Sequence, residues 1–418
     1  MSLEFETVSL GEHLYIKGRI GWKGLKKDEY LDNGNYRIIN ATALEEDGIN
    51  WDDCGYITKE RFSESPEIIL KEKDILISKD GTIGKLGCVK ELHIPSTVAS
   101  GVFVVRNLNK DYIDTDFLYY YFKSPFFKWF IKSVTEGSVI PHLYQRDFTD
   151  MEFNLFDLEV QKKCSAILNA IEEKININKR INKNLEDTVL KIFDSWFVKF
   201  KLSNDLCDSK LGLIPKGWKI DYLGSKKSCS IIGSGIDEFN DSKIYIATAD
   251  VDNSIITSND TLITMDDKPS RANMQPVPKS IWFAKMIESR KLIMIDDYSN
   301  DLFDNYIFST GFCGLKCVDK YFYYLWAFLL SDTFDTIKNN FCTGTTMQAI
   351  NNKDTKLIEF VLPDDRTIDQ FNSIAKPMFK KIYYNNLEIK KLQKLRDILL
   401  PKLMSGKIDV SEVNCDLE

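Results

Sequence analysis

The second half of this 418-residue sequence repeats the order of motifs in the first half, and this internal repeat limits the possible folds more than any other feature. Residues 5–11 (FETVSLG) match residues 218–224 (WKIDYLG), and residues 74–79 (DILISK) match residues 280–285 (SIWFAK). Single matches of this kind arise by chance, but their shared order indicates one β-rich domain followed by one long helix, carried twice. The further pairs, at a nearly constant offset, are 36–42 with 245–248, 100–105 with 310–315, 135–137 with 342–344, 143–147 with 350–354, and 151–156 with 357–362.

Each half ends in a segment whose apolar residues have helical spacing. Over residues 160–192 and 368–399 they recur at intervals of three and four, which is typical of a coiled-coil seam. Asn178 and Asn385 interrupt the two seams, and a buried asparagine at such a position sets helix register. We therefore expect the helices to pack antiparallel with these asparagines within about one turn of each other. Alternatively, the helices cover separate domains and both asparagines face solvent. The seam residues are Val160, Cys164, Ile167, Ile171, Ile181, Leu185 and Ile192, then Ile368, Phe371, Ala375, Met378, Ile382, Ile389, Leu392 and Leu399.

The fold class predicted from these patterns is α+β, with two pseudo-symmetric β-rich domains separated by two long antiparallel coiled-coil helices. About 33 residues of helix span roughly 50 Å at 1.5 Å per residue, so we expect the helices to hold the domains apart at opposite ends, related by a pseudo-dyad. The predicted boundaries are 1–156 for the first domain, 157–200 for the first helix, 201–363 for the second domain, 364–405 for the second helix and 406–418 for a C-terminal tail.

The composition is that of a globular protein, with 44% hydrophobic and 28% charged residues. No apolar run approaches the roughly 18 to 20 residues of a membrane span, and residues 1–10 do not resemble a signal peptide, so we expect a cytoplasmic protein. A net charge of −7 argues against nucleic-acid binding by bulk electrostatics, but the charges are segregated, since lysines crowd the last helix, and a local basic patch would act over about a Debye length. With nine cysteines, no Cys-x-x-Cys pair and three histidines, we expect reduced thiols in cores rather than a metal site.

No motif in the sequence predicts catalysis. Residues 81–86 (GTIGKL) lack the glycine spacing and the Ser or Thr of a phosphate-binding loop. Asp364, Glu388 and Lys390 superficially resemble a metal-nuclease motif. Glu388 and Lys390, however, lie two residues apart on a helix and therefore point to different faces. Gly-rich cofactor loops, Gly-x-Ser-x-Gly elbows and base-methylation motifs are missing as well. Together these observations favour a binding protein over an enzyme.

The repeat with its helices resembles the DNA specificity subunits of type I restriction-modification systems, and the resemblance covers essentially the whole chain. Its most specific segment is residues 387–408 (LEIKKLQKLRDILLPKLMSGKI), which looks like the C-terminal signature of that family. Residues 214–218 (IPKGW), 73–84 and 278–286 are also similar to family patterns. The first helix departs from the pattern, because it ends in residues 194–197 (DSWF) where the second has LLPKL.

The resemblance implies that each β-rich domain is a target recognition domain that reads one half of a bipartite sequence in double-stranded DNA. It also implies that the helices dock two modification (methyltransferase) subunits and, through them, the restriction subunits. S-adenosylmethionine is then expected on the modification subunits, with no cofactor, metal or catalysis in this chain. Positive surface supplied by those partners would account for the acidic balance of the chain, which we state as a hypothesis.

Candidate DNA-binding residues follow from the physics of readout. Base edges are read by polar and basic side chains on loops, and phosphates are held by lysine and arginine. Two loops lie at matching positions of the repeat and differ in sequence, as loops for different half-sites should. Turn residues that satisfy their own backbone, or solvated surface charge, are the competing interpretation for each residue. The loop candidates are Thr135, Ser138, His142, Tyr144, Gln145 and Arg146, then Thr343, Thr345, Thr346, Gln348, Asn351 and Lys353; the phosphate candidates are Lys79, Lys85, Arg271 and Lys285.

Two other functions stay open on the sequence alone. One is a protein-interaction scaffold with a coiled-coil spacer and no DNA readout, which a gel shift with random DNA and the modification subunit would separate. The other is a DNA-cleaving or methylating enzyme with an unrecognised site, which assays with magnesium or S-adenosylmethionine would reveal.

Overall fold

The computed structural model describes residues 4–20, 25–45, 48–136, 142–148, 151–345 and 347–413. The chain forms two compact units: Met1–Ile177 with Glu388–Glu418, and Asn178–Leu387. Each compact unit contains one β-rich domain together with part of each long helix. The two units are called the first and second unit below.

The first unit contains short strands, a helical pair and the beginning of the first long helix. Its strands are β1 (Glu6–Ser9), β2 (Leu14–Gly18), β3 (Arg37–Ile39), β4 (Leu44–Glu45), β5 (Gly48–Ile49), β6 (Gly55–Tyr56), β7 (Ile75–Ser78), β8 (Leu86–Cys88), β9 (Ser96–Val98), β10 (Val102–Asn107) and β11 (Glu152–Leu155). Its helices are α1 (Lys59–Ser63), α2 (Thr115–Lys123), α3 (Pro125–Thr135) and the start of α4 (Leu158–Phe193), which a π-helical turn (Asp194–Val198) prolongs in the second unit.

The second unit contains a similar set of elements, preceded by an additional hairpin of β12 (Leu206–Ser209) with β13 (Gly212–Pro215). Its other strands are β14 (Lys219–Tyr222), β15 (Cys229–Ile231), β16 (Lys243–Ile246), β17 (Val251–Asp252), β18 (Ile255–Ile256), β19 (Leu262–Ile263), β20 (Ala272–Met274), β21 (Ser280–Ala284), β22 (Leu292–Ile295), β23 (Tyr306–Ser309), β24 (Phe312–Cys317) and β25 (Glu359–Leu362). Its helices are α5 (Asn300–Asn305), α6 (Phe322–Leu330), α7 (Asp332–Asn340), α8 (Asn352–Thr355) and the first part of α9 (Asp365–Met404).

The sheet topology confirms the internal repeat predicted from the sequence. The main sheet has the order β2-β10-β7-β8 in the first unit and β15-β24-β21-β22 in the second. In each unit the last strand of the domain pairs antiparallel with a strand near its start, β11 with β1 and β25 with β14. A parallel pair recurs too, β3 with β9 and β16 with β23. The observed fold is α+β, with two β-rich domains and two long helices.

The central strands read as continuous apolar runs because both faces of each main sheet are covered. In β7, Ile75 and Ile77 belong to a core shared with α2 and α3, and Leu76 points into a second core. In β21, Phe283 and Trp282 likewise point into different cores. Burial on both faces makes the register of these strands well specified, since a slip of one residue would exchange the two sets of side chains.

The helices pair antiparallel within each unit. In the first unit, Arg396 Nη1 donates to Glu172 Oε1 at 3.1 Å and Lys174 lies 3.7 Å from Glu388, so rising numbers on α4 meet falling numbers on α9. In the second unit, Asn385 Nδ2 donates to Asn182 Oδ1 at 2.7 Å.

Asn178 and Asn385 are both buried, at 1% exposure each. Asn385 donates to Asn182, which lies about one turn after Asn178 on α4. Asn182 also donates to Asn386 Oδ1 at 2.8 Å, so the register contact involves more asparagines than the two that the sequence singled out.

The predicted seams are only partly seams between helices. Ile171, Ile175 and Ile389 form the apolar contact of α4 with α9 in the first unit. Cys164 instead packs into the core of the first domain, and Phe371 into that of the second. A helix face that covers a domain has the same three-and-four spacing as a coiled-coil seam, so periodicity could not separate the two.

Candidate nucleic-acid interface

Lys79 and Lys285 occupy the same backbone position in the two units. Lys79 N–H donates to Gly101 O at 2.9 Å, and Lys285 N–H donates to Gly311 O at 3.0 Å. Each lysine therefore ends a central strand beside a glycine turn.

The same two lysines hold the loops that the sequence selected. Lys79 O accepts from Leu143 N–H at 3.1 Å, and Lys285 O accepts from Ile350 N–H at 2.9 Å. The structure thus brings together, in each unit, a strand-ending lysine, a glycine turn and a candidate loop. Two of the candidates, Ser138 and Thr346, lie outside the described residues.

The first loop presents aromatic and basic side chains. His142 Nδ1 contacts Asp80 Oδ1, and its ring centroid lies 4.6 Å from that of Tyr144. The Arg146 guanidinium lies 4.9 Å from the Tyr144 ring centroid and is 82% exposed. Gln145 begins a short 3₁₀ helix (Gln145–Phe148) and is exposed. These exposed groups can donate to phosphates or to base edges.

Thr135 is placed differently from its neighbours in the first loop. It is the last residue of α3, and its hydroxyl donates to Ile131 O at 2.7 Å. The backbone contact supports the structural interpretation of this residue.

The second loop is closed by backbone hydrogen bonds. Thr343 and Ala349 exchange bonds of 3.2 and 3.1 Å, and Gln348 O accepts from Ile287 N–H at 3.0 Å. Gly344 has a φ of +134°, and a Cβ there would lie 2.8 Å from Met347 O, so the turn requires glycine. The closed loop exposes the side chains of Thr343, Thr345, Met347 and Gln348.

Two candidates in the second loop serve the local fold. Asn351 caps α8, with its side-chain oxygen accepting from Lys353 N–H at 2.8 Å and Asp354 N–H at 3.0 Å. The Lys353 side chain is exposed on this short helix. Asn351 is accordingly better explained as a helix cap than as a base reader.

The phosphate candidates of the second unit gather around one turn. Lys285 Nζ donates to Thr310 O at 3.1 Å, and Thr310 N–H donates to Arg271 O at 2.8 Å. Arg271 is exposed, and its guanidinium reaches Gly311, where an added Cβ would lie 3.5 Å from Nη2. The turn at 310–311 therefore lies next to two cationic side chains.

The phosphate candidates of the first unit are coupled through Ser78. Lys85 N–H donates to Ser78 Oγ at 2.8 Å, and Ser78 N–H donates to Lys85 O at 2.9 Å. Lys79 Nζ lies 5.0 Å from the Phe103 ring centroid. Lys79 and Lys85 are thus brought to one edge of the sheet, with Asp80 as an acidic neighbour.

Sequence reasoning missed three residues at these positions. Asp80 and Met286 directly follow the two lysines, and Met347 is 76% exposed in the second loop. The repeat itself carried a signal, because aligning the strand-ending lysines places Asp80 opposite Met286.

The cysteines of the described residues are free thiols, and five of them are buried. Burial raises the pKa of the thiols of Cys54, Cys88 and Cys229 to about 11 and that of Cys313 to about 12, so these cysteines are protonated near neutral pH. In the same portion of the chain no three His, Cys, Asp or Glu side chains converge as metal ligands. No helix of the described ranges combines the length and apolar character needed to cross a membrane.

The sequence of the chain is similar to those of specificity subunits of type I restriction enzymes. Residues 3–187 match the family described as type I restriction modification DNA specificity domain. The type I restriction enzyme MjaIX specificity subunit of Methanocaldococcus jannaschii is 27% identical over 414 residues, covering 96% of this chain and 89% of that protein. The HindI specificity subunit of Haemophilus influenzae is 20% identical over 405 residues, covering 81% of this chain and 87% of that protein.

A solved structure supports the fold separately. The crystal structure of the type I restriction-modification system S subunit from M. genitalium superposes with a TM-score of 0.54 at 15% identity, covering 96% of each chain. The family match lies in the first half of the chain, and type I specificity subunits are similar to it over most of its length. The likeness to the M. genitalium S subunit concerns the fold.

Proposed function

We propose that this chain is the DNA-reading subunit of a type I restriction-modification complex and carries no catalysis itself. Each β-rich domain reads one half of a split target in double-stranded DNA through its loop, and the adjoining lysines and arginine hold phosphates. The observation that carries the proposal is the repeated lysine, glycine-turn and loop arrangement, which is the same in backbone geometry and different in side chains. Two domains with the same backbone arrangement and different loop side chains are suited to recognising two different half-sites.

Electrostatics support local rather than bulk attraction to DNA. The chain has a net charge of −7, which gives no general affinity for a polyanion. Lys79 and Lys285 nevertheless bind the two loops through their backbone carbonyls at equivalent positions. Lys85 is bonded to Ser78 beside Lys79, and Arg271 is bonded to the Thr310 turn beside Lys285. Since charge interactions are screened over about 8 to 10 Å at physiological salt, such local clusters suffice for phosphate contacts.

The partners follow from the same proposal. The two helices dock two modification subunits, one for each half of the internal repeat, and the restriction subunits join through them. S-adenosylmethionine is bound by the modification subunits, not by this chain. Native mass spectrometry of the co-expressed complex tests the stoichiometry, with two modification subunits per chain as the expected mass.

The decisive experiment is methylome sequencing of cells with and without this gene. We expect one split motif, with modified adenines in both halves, to be lost on deletion. Methylation that is unchanged by the deletion would contradict the proposal. A protein-interaction scaffold, the competing function, would leave methylation unchanged and would show no binding to duplex DNA with the modification subunit present.

The loops can be tested one half-site at a time. Gln145→Ala and Gln348→Ala each remove one exposed amide, and each should change base preference within a single half of the motif. If Gln348→Ala leaves the preference at every position unchanged, Gln348 is not a base reader.

A further inference from the structure

The two units differ in chemistry at one equivalent pair of positions. The residue after the strand-ending lysine is Asp80 in the first unit and Met286 in the second. The residue before the lysine-bound loop position is His142 in the first unit and Ala349 in the second.

In the first unit these positions form a polar pair, with His142 Nδ1 against Asp80 Oδ1. In the second unit they form an isolated antiparallel bridge between Met286 and Ala349. The same place in the fold is therefore polar in one domain and apolar in the other.

Next to this apolar pair, Met347 is 76% exposed and Met286 is 42% exposed. Backbone hydrogen bonds fix the loop that exposes Met347. Thr343 and Ala349 bond reciprocally and close the loop, and Gln348 O accepts from Ile287 N–H. A thioether held in water beside polar loop residues gains free energy only when an apolar surface covers it.

We propose that Met347, with Met286 beside its loop, contacts the 5-methyl group of a thymine in the half-site read by the second domain. This inference rests on the proposed DNA-reading function. The thymine methyl is the apolar group among base edges in the major groove, where the other edges offer hydrogen-bond donors and acceptors. Thr345 and Gln348, exposed on the same loop, are suited to the neighbouring polar edges.

The inference also separates the two half-sites. The first domain has Asp80 and His142 where the second has Met286 and Ala349. Sensitivity to a missing thymine methyl at this position is therefore assigned to the second domain.

The test is a double-mutant cycle between the protein and the DNA. The full chain with its modification subunits is bound to duplexes of the mapped target, in which each thymine in turn is replaced by uracil. We expect one thymine, in one half-site, whose replacement weakens wild-type binding about fourfold, the change expected for burying one methyl group. Met347→Ala should weaken binding to the thymine duplex and show no further loss with uracil at that position.

Leu262→Ala is the matched control, since Leu262 is also exposed, at 66%, but belongs to β19 rather than to the loop. It should bind the thymine and uracil duplexes as the wild type does. The inference is overturned if no thymine couples to Met347, if the half-site contains no thymine, or if Met347→Ala weakens all duplexes equally.

The wild-type measurement separates this inference from the proposed function. If wild type fails to prefer the target over a random duplex, the proposed function has failed. If wild type discriminates but shows no coupling between Met347 and a thymine, the inference alone has failed.

Discussion

Gly314 and Trp282 form a pair whose size match can be tested against the other half of the same chain. The two residues are opposite each other in the pairing of β24 with β21, and Trp282 is fully buried. A Cβ at Gly314 would lie 2.5 Å from Trp282 Cη2 and Cζ3. At the equivalent positions of the first unit, Val104 is opposite Leu76. At this position of the repeat, the second unit therefore pairs a small residue with a large one, whereas the first unit pairs two residues of intermediate size.

A larger residue at position 314 should lower the free energy of unfolding, because the cost of overpacking exceeds the entropic gain from replacing glycine. Where the native backbone conformation suits alanine, replacing glycine by alanine stabilises the folded protein by about 0.4 to 1 kcal/mol, because it reduces the conformational entropy of the unfolded chain. Contacts about 1 Å shorter than the ordinary carbon separation of about 3.5 Å force shifts in a buried indole, and overpacking of this kind costs about 1 to 3 kcal/mol. Gly314→Ala should thus lose about 1 to 2 kcal/mol, and Gly314→Val more.

The compensating change is Trp282→Leu, which alone should cost about 3 kcal/mol through the cavity it leaves. It also removes the 2.8 Å hydrogen bond from Trp282 Nε1 to Ser280 Oγ, but Ser280 keeps its bond to Val277 O. Combined with Gly314→Val, it recreates the Val104 and Leu76 pair of the first unit. We expect the double variant to be more stable than the sum of the single changes by about 2 kcal/mol.

Calorimetry of the full chain, with far-UV circular dichroism during urea unfolding, measures these effects. A loss of 2 kcal/mol should lower the Tm of the affected unit by about 4 to 8 °C. Gly233→Ala is the control, because no atom lies within 4 Å of a Cβ built there. The reasoning is refuted if Gly314→Ala is as stable as Gly233→Ala, or if the double variant loses as much as the two single variants together.

Three further predictions concern charge, capping and pH. Lys79→Ala and Lys285→Ala should weaken binding to every duplex and each lower the salt slope by about 1, measured by fluorescence anisotropy at several salt concentrations; unchanged slopes would exclude phosphate contacts. Asn351→Ala should destabilise the second unit by about 1 kcal/mol in urea unfolding and leave base preference unaltered, so a changed preference would contradict its role as a cap. Burial is the largest cause that raises the pKa of Glu186 in the folded protein, and the nearby charge of Asp187 adds to it. The contribution of protonated Glu186 to the free energy of unfolding is therefore fully present below its unfolded pKa and is lost as the pH rises through its folded pKa. Glu186→Gln should therefore raise the Tm at pH 7.5 more than at pH 4, and an equal effect at both values would contradict the assignment.

Several features can be predicted from the sequence because they are carried by the order and spacing of residues along the chain. Shared motif order revealed the duplicated domain, and period-three-and-four spacing revealed both long helices. Lys79 and Lys285 were matched in the same way, since each ends an apolar strand. Hydrogen bonding of these lysines to glycine turns and loops agrees with that match.

The tertiary structure decided which partner each of these residues has. Cys164 and Ile171 share one helical pattern, yet the first packs into a domain core and the second against the other helix. Asn351 looked like a reader and caps a helix, because its hydrogen bonds depend on backbone geometry rather than on residue type.

The contrast between Asp80 with His142 and Met286 with Ala349 likewise became visible only in three dimensions. The members of each pair are about 60 residues apart, and their contact is created by sheet pairing and loop closure. Local spacing determines which elements form and that they form twice; long-range packing determines which side chains meet, because those contacts join residues that the sequence keeps far apart.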